Sequence, residues 1–189
     1  MKNIAIFASG NGSNFEAIAT AVMGGEINAA ISLLICDKPG AKVITRAKRL
    51  GIPTFVCSPQ GFPSRAAHEE RILSELKKAG VELIVLAGYM RIIGDTLLRE
   101  YEGRIINIHP SMLPDFPGMN AIARAYESGA GHTGVTVHYV DAGVDTGPVI
   151  AQRVVEILPG DTPETLEERV HRVEHELYVE VLQGIFCRF

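Results

Sequence analysis

Two polar side chains close an otherwise apolar run in Arg104-Ile105-Ile106-Asn107-Ile108-His109-Pro110-Ser111. Side chains alternate along a strand, so Asn107 and His109 share one face. Pro110 cannot continue the ladder and turns the chain out of the sheet, which fixes the direction in which the histidine leaves. An amide beside an imidazole suits acyl transfer. The amide donates a hydrogen bond to a developing oxyanion, while the imidazole trades a proton with the attacking or leaving nitrogen. Taken alone, this strand fits a core histidine satisfied by backbone equally well. Asp145 is the third candidate. It lies in Asp141-Ala142-Gly143-Val144-Asp145-Thr146-Gly147-Pro148, whose glycines permit a tight course near a ligand. A carboxylate within reach of His109 would favour the charged imidazole.

A second chemical signal follows the first apolar run. Ser9-Gly10-Asn11-Gly12-Ser13-Asn14 leads from a strand into a helix. Glycines bring backbone N–H groups close to an anion, the helix N-terminus adds donors and a favourable dipole, and Ser13 and Asn14 add side-chain donors. A phosphate is the natural guest; a plain tight turn is the competing reading. A Walker loop is excluded because no lysine follows. A dinucleotide fingerprint is disfavoured because Phe15 stands where a third small residue is needed. Asp37 imitates a ribose-binding acid, yet Asp37-Lys38-Pro39-Gly40 equally begins a turn.

These residues need a scaffold, and the hydrophobic pattern supplies one. Apolar, β-branched runs at Asn3–Ala8, Ile31–Cys36, Thr54–Cys57, Glu82–Ala87, Arg104–His109, Thr136–Val140 and Val149–Ile157 read as strands. Amphipathic stretches at Asn14–Met23, Lys42–Leu50, Ser64–Ala79, Asp95–Tyr101, Ala121–Ser128 and Pro163–Ile185 read as helices, the last capped by Thr162 with Pro163 in its first turn. Alternation of the two predicts an α/β fold: a doubly wound, mostly parallel twisted sheet with an antiparallel edge made by the last two strands. In such sheets ligands bind outside the carboxyl ends of the strands, where both signals lie.

Composition narrows the partners. A chain of 189 residues suits one domain, residues 1–189. The net charge of −4, with basic residues scattered among acidic ones, offers no stripe for nucleic acid. Three widely spaced cysteines (Cys36, Cys57, Cys187) argue against a disulfide framework, and Cys36 in its apolar run reads as core. No segment reads as a signal peptide or membrane span, so the expected location is the cytoplasm.

The segments SGNGSN (9–14), AGYMRII (87–93), NIHPSMLP (107–114) and DAGVDTGP (141–148) resemble, in the same order, those of the phosphoribosylglycinamide formyltransferases, the folate-dependent GAR transformylases of purine synthesis. The resemblance covers nearly the whole chain. It implies a Rossmann-like fold, with a phosphoribosyl-substrate half at about 1–100 and a folate and catalytic half at about 101–189. The implied reaction moves the formyl group of 10-formyltetrahydrofolate to the amine of 5-phosphoribosylglycinamide (GAR) through a tetrahedral intermediate, with no metal. Asn107 would steady the oxyanion, His109 shuttle the proton, and Asp145 tune His109 and order a water. Gly12, Ser13, Asn14 and Glu174 would hold the phosphate and ribose. Met90, Arg91, Ile92 and Ile93, with the Asp141–Asp145 loop, would form the folate slot, Asn107 also facing it. Arg65 and Arg91 would lie near the glutamate tail. The implied partners are these two small molecules, with no nucleic acid or membrane, and the chain a monomer or homodimer. Asn120 stands where some relatives carry histidine, so no role for that imidazole carries over.

Other classes remain on the page: a 10-formyltetrahydrofolate hydrolase or another folate formyltransferase, and a non-catalytic sensor of a sugar phosphate. His171-Arg172-Val173-Glu174-His175 matches the inverted zinc-protease pattern, but nothing marks a third ligand, and both histidines read as helix-face residues. His138 reads as structural, and His68 and His132 as exposed.

Overall fold

In the computed structural model, which describes residues 1–187, seven strands form one sheet in the order β3-β2-β1-β4-β5-β6-β7. In chain order the elements are β1 (Lys2–Ala8), α1 (Ser13–Met23), β2 (Ala29–Cys36), α2 (Lys42–Arg49), β3 (Thr54–Val56), α3 (Arg65–Lys78), β4 (Leu83–Leu86), α4 (Asp95–Glu100), β5 (Ile105–His109), α5 (Ala121–Glu127), β6 (His132–Tyr139), β7 (Val149–Glu156) and α6 (Pro163–Phe186). Strands β1 to β5 pair parallel, while β6 runs antiparallel to both β5 and β7. This is the expected doubly wound sheet with an antiparallel edge. Its strand order reverses between β1 and β4, and the crevice at that reversal receives the loops after β1, β2 and β4.

The continuous apolar runs follow from burial on both faces. Ile4 and Ile6 of β1 pack with Phe15 and Ile18 of α1 and Tyr178 of α6, whereas Ala5 and Phe7 pack with Ile72 and Leu76 of α3. Cys36 is fully buried, as its run predicts. The buried Tyr178 hydroxyl lies 2.8 Å from the Leu86 carbonyl and 3.2 Å from that of Ile106, so α6 is pinned under β4 and β5, the strands that deliver the site. The start of α6 is as expected: Thr162 accepts the Thr165 N–H, Thr165 returns the bond, and Pro163 occupies the first turn.

One strand is longer than its pattern suggests. The strand expected from Thr136 begins at His132, four residues earlier. Gly134 breaks the β-branched run, yet a Cβ there would meet Met112 Cγ at 2.5 Å, so tertiary contact selects the residue that propensity disfavours.

Candidate active site

The polar cluster is assembled across β5 and β6. Antiparallel register sets Asn107 opposite His138 and His109 opposite Thr136. Directly paired residues share a face, which brings Asn107 Nδ2 to 3.3 Å from His138 Nε2. The His138 ring is anchored through Nδ1, 2.8 Å from the Tyr139 carbonyl.

Asp145 enters this pair from the loop after β6. Its backbone is left-handed (φ 55°), and the loop is tied by Asp141 Oδ1, which accepts the Gly143 N–H at 3.0 Å and the Thr146 hydroxyl at 2.7 Å. Gly147 lies so close to the Tyr139 backbone that a side chain there would collide with it, which lets the loop return to β7. So held, Asp145 Oδ2 stands 3.3 Å from His109 Nδ1 and Oδ1 stands 3.5 Å from both His138 Nε2 and Asn107 Nδ2. The Gly118 N–H donates to Oδ2 at 2.8 Å. Burial by itself pushes the carboxyl up. The His138 bond, the Gly118 N–H and the nearby imidazoles outweigh that and hold Asp145 below the ordinary carboxylate range. The other nitrogen of His109, Nε2, is 2.9 Å from the Phe116 carbonyl. Asp145, far along the chain from β5, therefore converges with Asn107 and His109.

His138, for which a structural role is expected, contacts both Asn107 and Asp145. The available signal is its place opposite Asn107, which exists only once the pairing of β5 with β6 is known. His68 departs from its sequence reading. Expected to be exposed, it is buried at 3% because its Nε2 reaches the Cys57 carbonyl at 2.8 Å and its ring meets Phe62 edge-on. His132 is exposed, as expected.

The glycine turn is built by its backbone. Gly12 caps α1 in the left-handed conformation (φ 78°), and a Cβ there would lie 2.5 Å from Val43 Cγ2. No side chain caps the helix, and Asn14 Oδ1 is buried without a partner. The turn is braced by α2. The Val43 N–H donates to the Gly10 carbonyl at 3.1 Å, and Arg46 donates to the Asn11 carbonyl at 2.8 Å and to Asn11 Oδ1 at 3.0 Å. Arg46 went unnoticed in the sequence because nothing in its own helix marks it. Glu174, on α6, is buried and held by His171 Nδ1 at 2.5 Å, which raises the His171 pKa. Its neighbour His175 lines, together with Ser13 of the cradle, a groove of about 650 Å³ between α1 and α6.

Five of the six residues expected beside a folate gather in one cavity, which Asn107 does not line. Arg65, Met90, Arg91, Ile92 and Ile93 line a space of about 500 Å³ together with Phe62. Its wall is the loop after β4, with Arg65 from the start of α3. The Asp141–Asp145 loop does not line this space. Among the described residues, no group of three or more acidic, histidine or cysteine side chains is placed to hold a metal, including the α6 histidines. Likewise, no described helix is long and apolar enough to cross a membrane.

Comparison with known proteins places the chain in one family. The formyl transferase family pattern matches residues 2–182. Phosphoribosylglycinamide formyltransferase of Bacillus subtilis (strain 168) is 54% identical, over 98% of this chain and 95% of that one. The crystal structure of glycinamide ribonucleotide transformylase 1 from Geobacillus kaustophilus superposes with a TM-score of 0.96 at 60% identity, covering 98% of this chain and 99% of that one. Phosphoribosylglycinamide formyltransferase from Bacillus halodurans gives 0.97 at 49% identity, over 99% and 96%. Matched along nearly its whole length, and carrying an amide, an imidazole and a carboxylate converged at the end of β5, this chain belongs to the formyl transferase family.

Proposed function

We propose that this protein transfers the formyl group of 10-formyltetrahydrofolate to the amine of GAR, giving formyl-GAR and tetrahydrofolate in purine synthesis. The observation that carries this reading is the meeting of Asn107, His109 and Asp145 within 3.5 Å contacts, on a chain that also holds an open helix N-terminus for a phosphate. The cavity beside Met90–Ile93 fits the folate by its chemistry, since apolar walls suit an aromatic ring and Arg65 and Arg91 suit carboxylates. When bound, that co-substrate supplies the one-carbon unit at the formate oxidation level.

The protein's own groups do the rest. Gly12, Ser13 and Asn14 receive the phosphate on backbone and side-chain donors, and Glu174 accepts hydrogen bonds from ribose hydroxyls. Asn107 Nδ2 donates to the carbonyl oxygen as negative charge builds on it. His109 accepts a proton from the attacking amine and returns one to the departing nitrogen, so one C–N bond forms and one breaks with no net change in protonation. Both ring nitrogens of His109 already face oxygen atoms, so this transfer exchanges the Phe116 carbonyl for a substrate contact. Asp145 orients the imidazole and balances its charge.

The chain works as one domain. Residues 1–100 bring the cradle together with Arg65 and Met90–Ile93, and residues 101–189 bring the chemistry. Its compartment is the cytoplasm, and its assembly a monomer or homodimer. Incubation of the purified protein with GAR and 10-formyltetrahydrofolate is expected to give formyl-GAR, with almost no formate when GAR is omitted. Formate release without acceptor would identify a hydrolase instead, and ribonucleotide binding without turnover a sensor.

A further inference from the structure

Asp37 has no part in the chemistry above, yet it is buried at 3% at the end of β2, beside the crevice where the strand order reverses. A carboxylate so placed needs compensation. It has two partners. The Ser9 hydroxyl donates to Oδ1 at 2.5 Å, and Arg91 Nε donates to Oδ2 at 2.7 Å. The same Ser9 hydroxyl accepts the Met90 N–H at 2.9 Å, and the Ser9 N–H donates to the Gly88 carbonyl at 3.0 Å. Next to them the Tyr89 ring packs edge-on against Phe7 at 5.2 Å. The backbone from Gly88 to Met90 is thereby fixed to the cradle's first residue, and Arg91 is the arm that extends from it into the cavity.

We propose that Asp37 is a positioning residue that aims Arg91 at the carboxylates of the folate's glutamate tail. Asp37 takes Arg91 through Nε, and no other bond to Arg91 occurs among the described residues. Both Nη groups therefore stay available, on a side chain that is 42% exposed and lines the cavity. A guanidinium gripped at Nε loses most of its rotamer freedom before the ligand arrives, so less is lost on binding. An arginine on a solvated loop without this grip would have to order itself each time. The proposal rests on the assignment of the Arg91 cavity to the folate.

The test compares two co-substrates: 10-formyltetrahydrofolate, and 10-formyltetrahydropteroyl amide, which keeps the ring and formyl group but has no glutamate carboxylate. Asp37→Asn keeps the side-chain volume and an acceptor for Ser9, but turns a repelling amide N–H toward Arg91. It is expected to raise KM roughly three- to tenfold for the glutamate-bearing compound, a fraction of a charge-assisted bond, and to leave KM for the amide and kcat for both unchanged. GAR affinity by calorimetry should stay at the wild-type value, which separates loss of aim from collapse of the crevice. Should Asp37→Asn fail to fold, Ser9→Ala loosens the same carboxylate and should show a smaller rise confined to the glutamate-bearing compound. An equal KM rise for both compounds would make Asp37 merely structural. Arg91→Gln serves as control, because it keeps a donor for Asp37 and removes the charge. If Arg91→Gln discriminates between the compounds and Asp37→Asn does not, the positioning role is wrong. If Arg91→Gln does not discriminate either, the folate assignment of the cavity fails, and the proposal falls with it.

Discussion

Two clusters in this molecule use nearly the same side chains. Where β5 pairs with β6, His109 and His138 flank the carboxylate of Asp145. On α6, His171 and His175 flank that of Glu174, with His171 bonded to it. The first draws its members from β5, β6 and a loop; the second lies within five residues of one helix. Local clustering is easily made, since i, i+3 and i, i+4 neighbours on a helix meet without any tertiary structure. Convergence from three elements requires a register, a left-handed aspartate and a tied loop, each held by the rest of the fold. Under the proposed function, the first arrangement serves proton transfer and the second holds a ligand. Catalysis needs fixed mutual geometry, whereas binding needs one well-supported acceptor.

Substitutions should divide along that line. Asp145→Asn keeps the shape but removes the charge facing both imidazoles, and kcat is expected to fall roughly a thousandfold, the scale of a positioned acid–base group. Thermal melting should show the protein still folded; a kcat within a few-fold of wild type would reduce Asp145 to a structural residue. Asn107→Ala removes one oxyanion donor, for which about a hundredfold loss in kcat with little change in either KM is expected from steady-state kinetics. Glu174→Gln belongs to the other cluster. KM for GAR should rise roughly tenfold, with kcat nearly unchanged, because a ground-state contact is weakened. A large fall in kcat there would erase the contrast between the clusters.

The smallest effect concerns His171. Its hydrogen bond to Glu174 raises its pKa, so the folded state binds that proton more tightly than the unfolded chain does. The stabilisation is complete below the unfolded value, about 6.5, and is lost as pH rises through the folded one. The His171 side chain is 43% exposed, so solvent reduces the effect to a fraction of a kcal/mol. Melting curves should show His171→Gln less stable than wild type at pH 5.5, with the gap narrowing by pH 9. A gap that is constant across this range would mean that the pair contributes packing alone.

The same contrast explains what could be read from the sequence. Most helices and strands follow from apolar period, because burial against a neighbour imposes the pattern, whereas β6 extends beyond its pattern to His132 and β3 buries none of its residues fully. The glycine turn is legible because Gly10–Asn14 is contiguous and its conformation is a property of the backbone. Asn107 and His109 were legible as a pair because a strand's period puts them on one face. His138 was not, since its partner lies on another strand and the pairing is set by the whole sheet. Arg46 and Asp37 act across long sequence separations as braces, and no local pattern distinguishes a brace from a solvated charge or a turn. His68 was misread for the opposite reason: a polar type on a charged helix face looks exposed, but the Cys57 carbonyl draws it inward.

The central claim is that the imidazole of His109 carries the proton between acceptor and donor nitrogens. Single-turnover formyl transfer with His109→Ala, at saturating GAR and 10-formyltetrahydrofolate, tests it most directly. The account predicts that both ligands bind with near wild-type affinity while formyl-GAR forms at least about a hundredfold more slowly. Transfer at the wild-type rate by the folded variant would contradict it.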